Sequence, residues 1–112
     1  MRAPNIQLNV QQTIDEAVRR VVERFDPIRV VLFGSGARGT MGPDSDLDLF
    51  VEMDSNQRFI DRCAAVRLAL RDLQIPIDVF VYTPAEVAEQ RGRLGNLLAY
   101  IDGDGKVVYE RL

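Results

Sequence analysis

A glycine-rich turn after an apolar run is the first part of this sequence that suits chemistry. The run Ile28–Phe33 is typical of a buried strand, and Gly34-Ser35-Gly36 follows it directly. Glycine allows a backbone to approach an anion closely, and a helix beginning near Ser35 would add unpaired N–H groups. The turn therefore predicts a phosphate site at the end of a strand, where the Ser35 hydroxyl could also contact a metal.

Three aspartates follow this turn in the chain. Asp46 and Asp48 are two residues apart on an extended run, so their carboxylates emerge on one face and the apolar neighbours on the other. Asp78 interrupts the apolar run Ile77–Val81 in the same way. Neighbouring carboxylates repel each other unless a cation compensates them, and oxygen ligands beside a phosphate favour Mg²⁺ or Mn²⁺ over Zn²⁺. The pattern predicts a hard-cation site.

These residues together resemble a known motif. Gly34-Ser35, ten further residues, Asp46-Leu47-Asp48 and a later strand aspartate, Asp78, are similar to the pattern of the DNA polymerase β-like nucleotidyltransferase superfamily. The similarity is greatest to its minimal nucleotidyltransferase (MNT) branch. The resemblance implies an α/β (α+β) fold with a small mixed β-sheet flanked by helices. We expect one minimal nucleotidyltransferase domain over residues 1–112.

The resemblance also implies a role for each motif residue. It assigns nucleotide binding to Gly34, Ser35, Gly36 and Arg38, with ATP as the substrate. It assigns catalysis and the binding of two Mg²⁺ ions, with Mn²⁺ possible, to Asp46, Asp48 and Asp78. Asp78 would also activate the acceptor hydroxyl. Gly36 departs from the family pattern, in which a larger or basic residue is expected.

Small MNT proteins of this pattern are known as antitoxins, and the resemblance spans nearly the whole chain. They act on a HEPN-domain RNase toxin, in several cases by transferring AMP to a toxin tyrosine. The resemblance implies the same partner here, in a hetero-oligomer. Two alternatives remain: a non-catalytic antitoxin that neutralises its partner by binding, and a small-molecule nucleotidyltransferase that needs a partner subunit.

Each motif residue also has an ordinary structural explanation. The stretch from Gly34 to Gly42 could be an ordinary glycine-rich turn between a strand and a helix, and Ser45 could cap a turn before Asp46. Arg38 could be solvated or could pair with Asp44. Asp48 and Asp78 fit such explanations less well, because a carboxylate in an apolar strand requires a cation or a buried arginine.

Composition excludes several classes of function. The 112 residues have a net charge of −3, and Lys106 is the one basic residue that is not arginine. Arginines interleave with acids along predicted helices, which indicates solvated helix faces rather than a nucleic-acid surface; examples are Arg19, Arg20, Arg24, Arg62 and Arg67. Without histidine and with the single Cys63, the chain cannot form an internal disulfide or a Cys/His zinc site. No apolar run is long enough to span a membrane, so we expect a cytoplasmic protein.

The coarse pattern alternates helices and strands. A capping box at Thr13-Ile14-Asp15-Glu16 predicts the start of a first helix that ends at Asp26-Pro27. Further along, the pattern predicts a strand from Asp44 to Glu52, a helix with an apolar face from Phe59 to Leu73, a strand from Ile75 to Tyr82 and a helix capped at Thr83-Pro84. Arg91 to Gly95 either breaks that helix or starts another. Asp102 to Gly105 lacks the ligand series of a calcium loop, so we expect a turn into a last strand, Lys106 to Tyr109.

Overall fold

The apolar runs of the sequence form one four-stranded sheet, and the amphipathic segments form helices. The computed structural model describes residues 6–39, 45–91, 93 and 95–112. Its elements, in chain order, are α1 Ile6–Phe25, β1 Arg29–Phe33, α2 Ser35–Arg38, β2 Leu47–Glu52, α3 Phe59–Leu70, β3 Ile77–Tyr82, α4 Pro84–Gln90, α5 Leu97–Asp104 and β4 Lys106–Glu110. The predicted mixed α/β class is confirmed.

The strand order is β3-β2-β1-β4, and the sheet is mixed. β1 pairs antiparallel with both β2 and β4, whereas β2 and β3 run parallel. A parallel pair requires a long crossover, and α3 provides it. In this register Asp48 lies opposite Asp78 on one side and Phe33 on the other.

Apolar residues cover both faces of the sheet. On one face, α1 and α3 pack over the strands and form the larger cluster, in which Ala17, Val21 and Val66 are fully buried. On the other face, Phe33 and Phe50 pack with residues of α4 and α5. Asp48 shares this second face because it alternates with Leu47 and Leu49, which belong to the first cluster. No helix of the described residues is both long and apolar enough to cross a membrane.

The predicted start of the first helix is wrong. α1 begins at Ile6, so Thr13 lies inside the helix and is buried rather than serving as its N-cap. The apolar spacing continues upstream of Thr13, and Val10 packs against the core. Burial of this longer stripe outweighs the local capping preference of threonine. The predicted end is confirmed, since Asp26 leaves the helical conformation with a φ of 47° just before Pro27.

Other boundaries shift by a few residues. β2 begins at Leu47 rather than Asp44, which lies outside the described residues, and β3 begins at Ile77 rather than Ile75. α3 ends at Leu70, and Leu73 packs against the core from the following turn. The capping box at Thr83 is confirmed, with Glu86 as its reciprocal partner.

The region after α4 agrees only in part with the sequence pattern. The chain between Arg91 and Gly95 separates α4 from α5, which confirms a break there, although Gly92 and Leu94 lie outside the described residues. The turn predicted from Asp102 is wrong, because α5 continues through Asp104 and only Gly105 links it to β4. Ile101 is buried, so packing of α5 against the sheet sustains its last turn.

The prediction that the helix arginines lie on solvated faces is wrong for Arg62, which is buried. Its side chain is 4% exposed, and its Nε donates to the Val81 carbonyl at 2.9 Å. Nη1 donates to the Gln57 carbonyl at 3.0 Å, and Nη2 pairs with the Glu86 carboxylate. A buried charge is tolerated only when its donors are matched in this way. Arg62 thus fastens α3 to the end of β3 and the start of α4.

We predict that Arg62→Ala lowers the free energy of unfolding by about 3 kcal/mol, because it leaves two inward-facing carbonyls and the Glu86 carboxylate without their donor. Urea denaturation followed by circular dichroism measures this loss. Arg67→Ala, on an exposed position of the same helix, is the control and should change stability by less than about 0.5 kcal/mol. Equal losses in the two variants would contradict the structural role of Arg62.

Candidate functional site

The Gly34-Ser35 turn joins β1 to α2 as the sequence predicts. Gly34 has a φ of 72° and a ψ of −151°, Ser35 begins the single-turn helix α2, and Gly39 ends it in the left-handed conformation. A Cβ added at Gly34 would lie 2.5 Å from the Asp48 Oδ2 atom. Glycine is required here both for its positive φ and for the close approach of backbone and carboxylate.

Core packing explains why residue 36 is a glycine. A Cβ at this position would lie 2.9 Å from the Leu47 Cδ2 atom and 3.3 Å from the Leu32 Cδ1 atom. Both leucines belong to the core beneath α2. A larger or basic residue at position 36 would have to displace these side chains, so the short α2 lies close to the sheet because residue 36 is glycine.

The three predicted aspartates are neighbours at the same end of the sheet. Asp48 on β2 is the register partner of Asp78 on β3, and Asp46 lies just before β2. Asp48 is partly buried, whereas Asp46 and Asp78 are exposed. Within the described part of the chain, none of the three accepts a hydrogen bond or pairs with a cation. Among the described residues, the three carboxylates therefore have no positively charged partner, and Asp48 lies directly beside the Gly34 turn.

The environment of Asp48 opposes its ionisation. Burial raises the pKa of its carboxyl above the ordinary value of 3.8, and the nearby charges of Asp78 and Asp46 raise the pKa further. A bound cation would reverse both effects, since it replaces lost hydration and separates like charges. A carboxylate whose charge is disfavoured without a cation is therefore expected at a cation site.

The donor set fits a hard divalent cation, although the ligands do not converge. No three acidic, histidine or cysteine side chains in the described ranges are close enough to hold a metal ion together. The available donors are carboxylate oxygens, because the chain has no histidine and Cys63 is buried, where its sulfur accepts a hydrogen bond from the Val81 N–H at 3.4 Å. Oxygen donors alone favour Mg²⁺ or Mn²⁺.

Arg38 lies at the last position of α2, and its contact is one that the sequence did not suggest. Its Nη1 donates to the Tyr100 hydroxyl at 2.5 Å, across 62 positions of the chain. The alternative partner Asp44 lies outside the described residues. Tyr100 is an exposed aromatic residue on a helix, and no sequence pattern connects it with Arg38.

The comparison with protein families supports what the geometry indicates. Residues 14–101 match the family model of the nucleotidyltransferase domain, a segment that includes both the glycine turn and the three aspartates. The chain belongs to the nucleotidyltransferase domain family. The family expected from the motif is therefore confirmed, and with it the type of fold.

Solved structures share this nucleotidyltransferase fold. One is a candidate nucleotidyltransferase from Sulfolobus solfataricus, which is 21% identical with a TM-score of 0.64, over 94% of this chain and 84% of that one. Another is a toxin-antitoxin with AMP-PNP, which is 17% identical with a TM-score of 0.57, over 96% of this chain and 75% of that one. No curated protein matches the sequence. At these identities the similarity establishes the fold alone.

The raised pKa of Asp48 leads to a prediction about stability. The folded protein holds the Asp48 proton more tightly than the unfolded chain does, so the wild type loses stability as the pH rises from 3.8 through the raised pKa. Asp48→Asn cannot ionise and avoids this loss. We expect its melting temperature in EDTA to exceed that of the wild type by a few degrees at pH 7, and the difference to shrink as the pH falls toward 3.8.

The control for this experiment is Asp54→Asn, which removes an exposed carboxylate from the loop after β2. Its melting temperature should follow that of the wild type across the same pH range. An Asp48→Asn protein that is no more stable than the wild type at pH 7 would contradict a raised pKa for Asp48 in the folded protein.

Proposed function

We propose that this protein is a Mg²⁺-dependent nucleotidyltransferase that transfers AMP from ATP to a tyrosine hydroxyl of a partner protein. The partner would be a HEPN-domain RNase toxin, as in the MNT antitoxins that the motif resembles, and the modification would make this chain an antitoxin. One observation gives the main support. The parallel register of β2 and β3 sets Asp48 beside Asp78, and Asp48 lies next to Gly34. No arginine or lysine among the described residues pairs with either carboxylate.

The arrangement suggests separate roles for the glycine turn and for the aspartates. The backbone of Gly34 and Ser35 would approach the triphosphate, and Arg38 would bind its charge. Asp46, Asp48 and Asp78 would hold the divalent cations, which when bound neutralise phosphate oxygens and lower the pKa of the acceptor hydroxyl. Asp48 is the least hydrated of the three, so it would gain most from such a ligand.

The transfer itself is a substitution at the α-phosphorus of ATP. The tyrosine oxygen forms a bond to this phosphorus, the bond from the phosphorus to the bridging oxygen breaks, and pyrophosphate leaves. The phenol proton passes to the exposed Asp78 carboxylate and then to solvent. The product is a phosphodiester that links AMP to the tyrosine side chain.

The proposal of a protein acceptor has two supports. One of the solved structures with this fold is a toxin-antitoxin with AMP-PNP, an ATP analogue. In the part of the chain that the structure describes, α1, α3, α4 and α5 pack against the sheet, so none of these four helices is free to enclose a small acceptor. An acceptor that provides its own docking surface fits this architecture.

A specific observation favours a second candidate function. The carboxylates are neighbours, yet no three of them converge on a metal position within the described ranges. A domain that had lost catalysis could keep the fold and neutralise its partner by binding alone. This candidate predicts a stable complex with the partner and no transfer of the nucleotide.

Labelling separates the two candidates. We predict that the purified protein, incubated with α-labelled ATP, Mg²⁺ and host lysate, transfers label to one partner protein. Asp46→Asn/Asp48→Asn should abolish the transfer, because it removes two of the three proposed cation ligands, while its circular dichroism spectrum stays unchanged. Asp54→Asn is the control for loss of an acidic residue and should retain full labelling.

The outcomes are distinct. Label on a single protein, as AMP on tyrosine by mass spectrometry, would support the transferase with a protein acceptor. If no protein is labelled with ATP or with the other nucleotides, while the partner still co-purifies, the binding-only function is supported instead. Label that persists in Asp46→Asn/Asp48→Asn would contradict the assigned site.

A further inference from the structure

Tyr100 holds Arg38 in an unusual way for this protein. Several other arginines pair with carboxylates, such as Arg29 with Glu52 at 2.9 Å. Of the residues that the structure describes, none offers Arg38 a carboxylate, and its guanidinium donates to the neutral Tyr100 hydroxyl instead. A phenol occupies one of the five N–H donors and carries no charge, so no residue that the structure describes neutralises the guanidinium. Arg38 is therefore fixed in position but remains available to an anion.

The ring of Tyr100 is itself fixed by the strand that leads into the turn. It packs edge-on against Phe33, with ring centroids 6.1 Å apart and an interplanar angle of 79°. Phe33 is the last residue of β1, directly before Gly34, and is the register partner of Asp48. Tyr100 thus has a defined position relative to both the glycine turn and the carboxylates.

The helix that bears Tyr100 is firmly anchored. The Asn96 side chain caps the start of α5 by accepting a hydrogen bond from the Ala99 N–H at 3.1 Å. Leu98 and Ile101 are buried in the core on either side of Tyr100. Tyr100 itself is 39% exposed. Its hydroxyl lies at the surface beside α2, while the buried residues of α5 pack against the sheet.

We propose that Tyr100 is a positioning residue for the nucleoside triphosphate site: its hydroxyl holds the Arg38 guanidinium at the end of α2, where the guanidinium would contact the phosphates. This inference rests on the proposed function, because it requires that the Gly34 turn binds a triphosphate. It adds a residue outside the glycine and aspartate motif and assigns α5 a part in nucleotide affinity.

Tyr100→Phe is the appropriate substitution, since it keeps the ring against Phe33 and removes only the hydroxyl. We expect it to weaken binding of Mg²⁺ with a non-hydrolysable ATP analogue about tenfold by isothermal titration calorimetry, a loss typical of one hydrogen bond to a charged group. Tyr109→Phe, which removes a phenol hydroxyl on β4, is the matched control and should bind as tightly as the wild type.

A double-mutant cycle distinguishes positioning from a merely structural role. In an Arg38→Ala background, Tyr100→Phe should cause no further loss of affinity, because the residue that it positions is absent. A loss that persists in this background, or wild-type affinity in Tyr100→Phe alone, would overturn the inference and leave the proposed function standing. A wild-type protein that does not bind the Mg²⁺ analogue would overturn the proposed function and the inference with it.

Discussion

Repulsion between carboxylates in adjacent parallel strands is the constraint on which the site depends. In-register pairing of β2 and β3 sets Asp48 opposite Asp78, and partial burial denies Asp48 the water that would screen it. No arginine compensates this charge within the described ranges, although the chain is rich in arginine. Among the described residues, this local excess of negative charge is not relieved, and in the proposed function a bound cation would supply the missing positive charge.

The rest of the fold stabilises this unfavourable arrangement. Leu47 and Leu49 alternate with Asp48 and are almost fully buried, so the apolar side of β2 fixes the direction of its acidic side. Arg62 fastens the crossover helix α3 to the far end of β3 and to α4. The close approach of Gly34 to Asp48 also fixes the position of the turn relative to the carboxylate, because no side chain separates them. Packing away from the site thus determines its geometry.

Local patterns in the sequence predicted most of the strands and the glycine turn. They missed the features that depend on contacts between distant residues. Period-two alternation located the strands and the face of β2 that Asp48 occupies, and the glycine turn marked the end of β1. The start of α1 was wrong because burial of a longer stripe outweighed the capping preference of Thr13. The buried state of Arg62 and the contact of Arg38 with Tyr100 arise between residues distant in the chain, for which local periodicity provides no signal.

The most direct test of this account is a titration of the protein with Mn²⁺ followed by electron paramagnetic resonance, with and without a non-hydrolysable ATP analogue. Free Mn²⁺ gives a sharp signal that is lost on binding, so the bound fraction is measured without any assay of activity. The account predicts that Mn²⁺ binds to the wild type, more tightly with the analogue, and that Asp48→Asn greatly weakens it. If the wild type takes up no Mn²⁺ under either condition, the carboxylates are not a cation site.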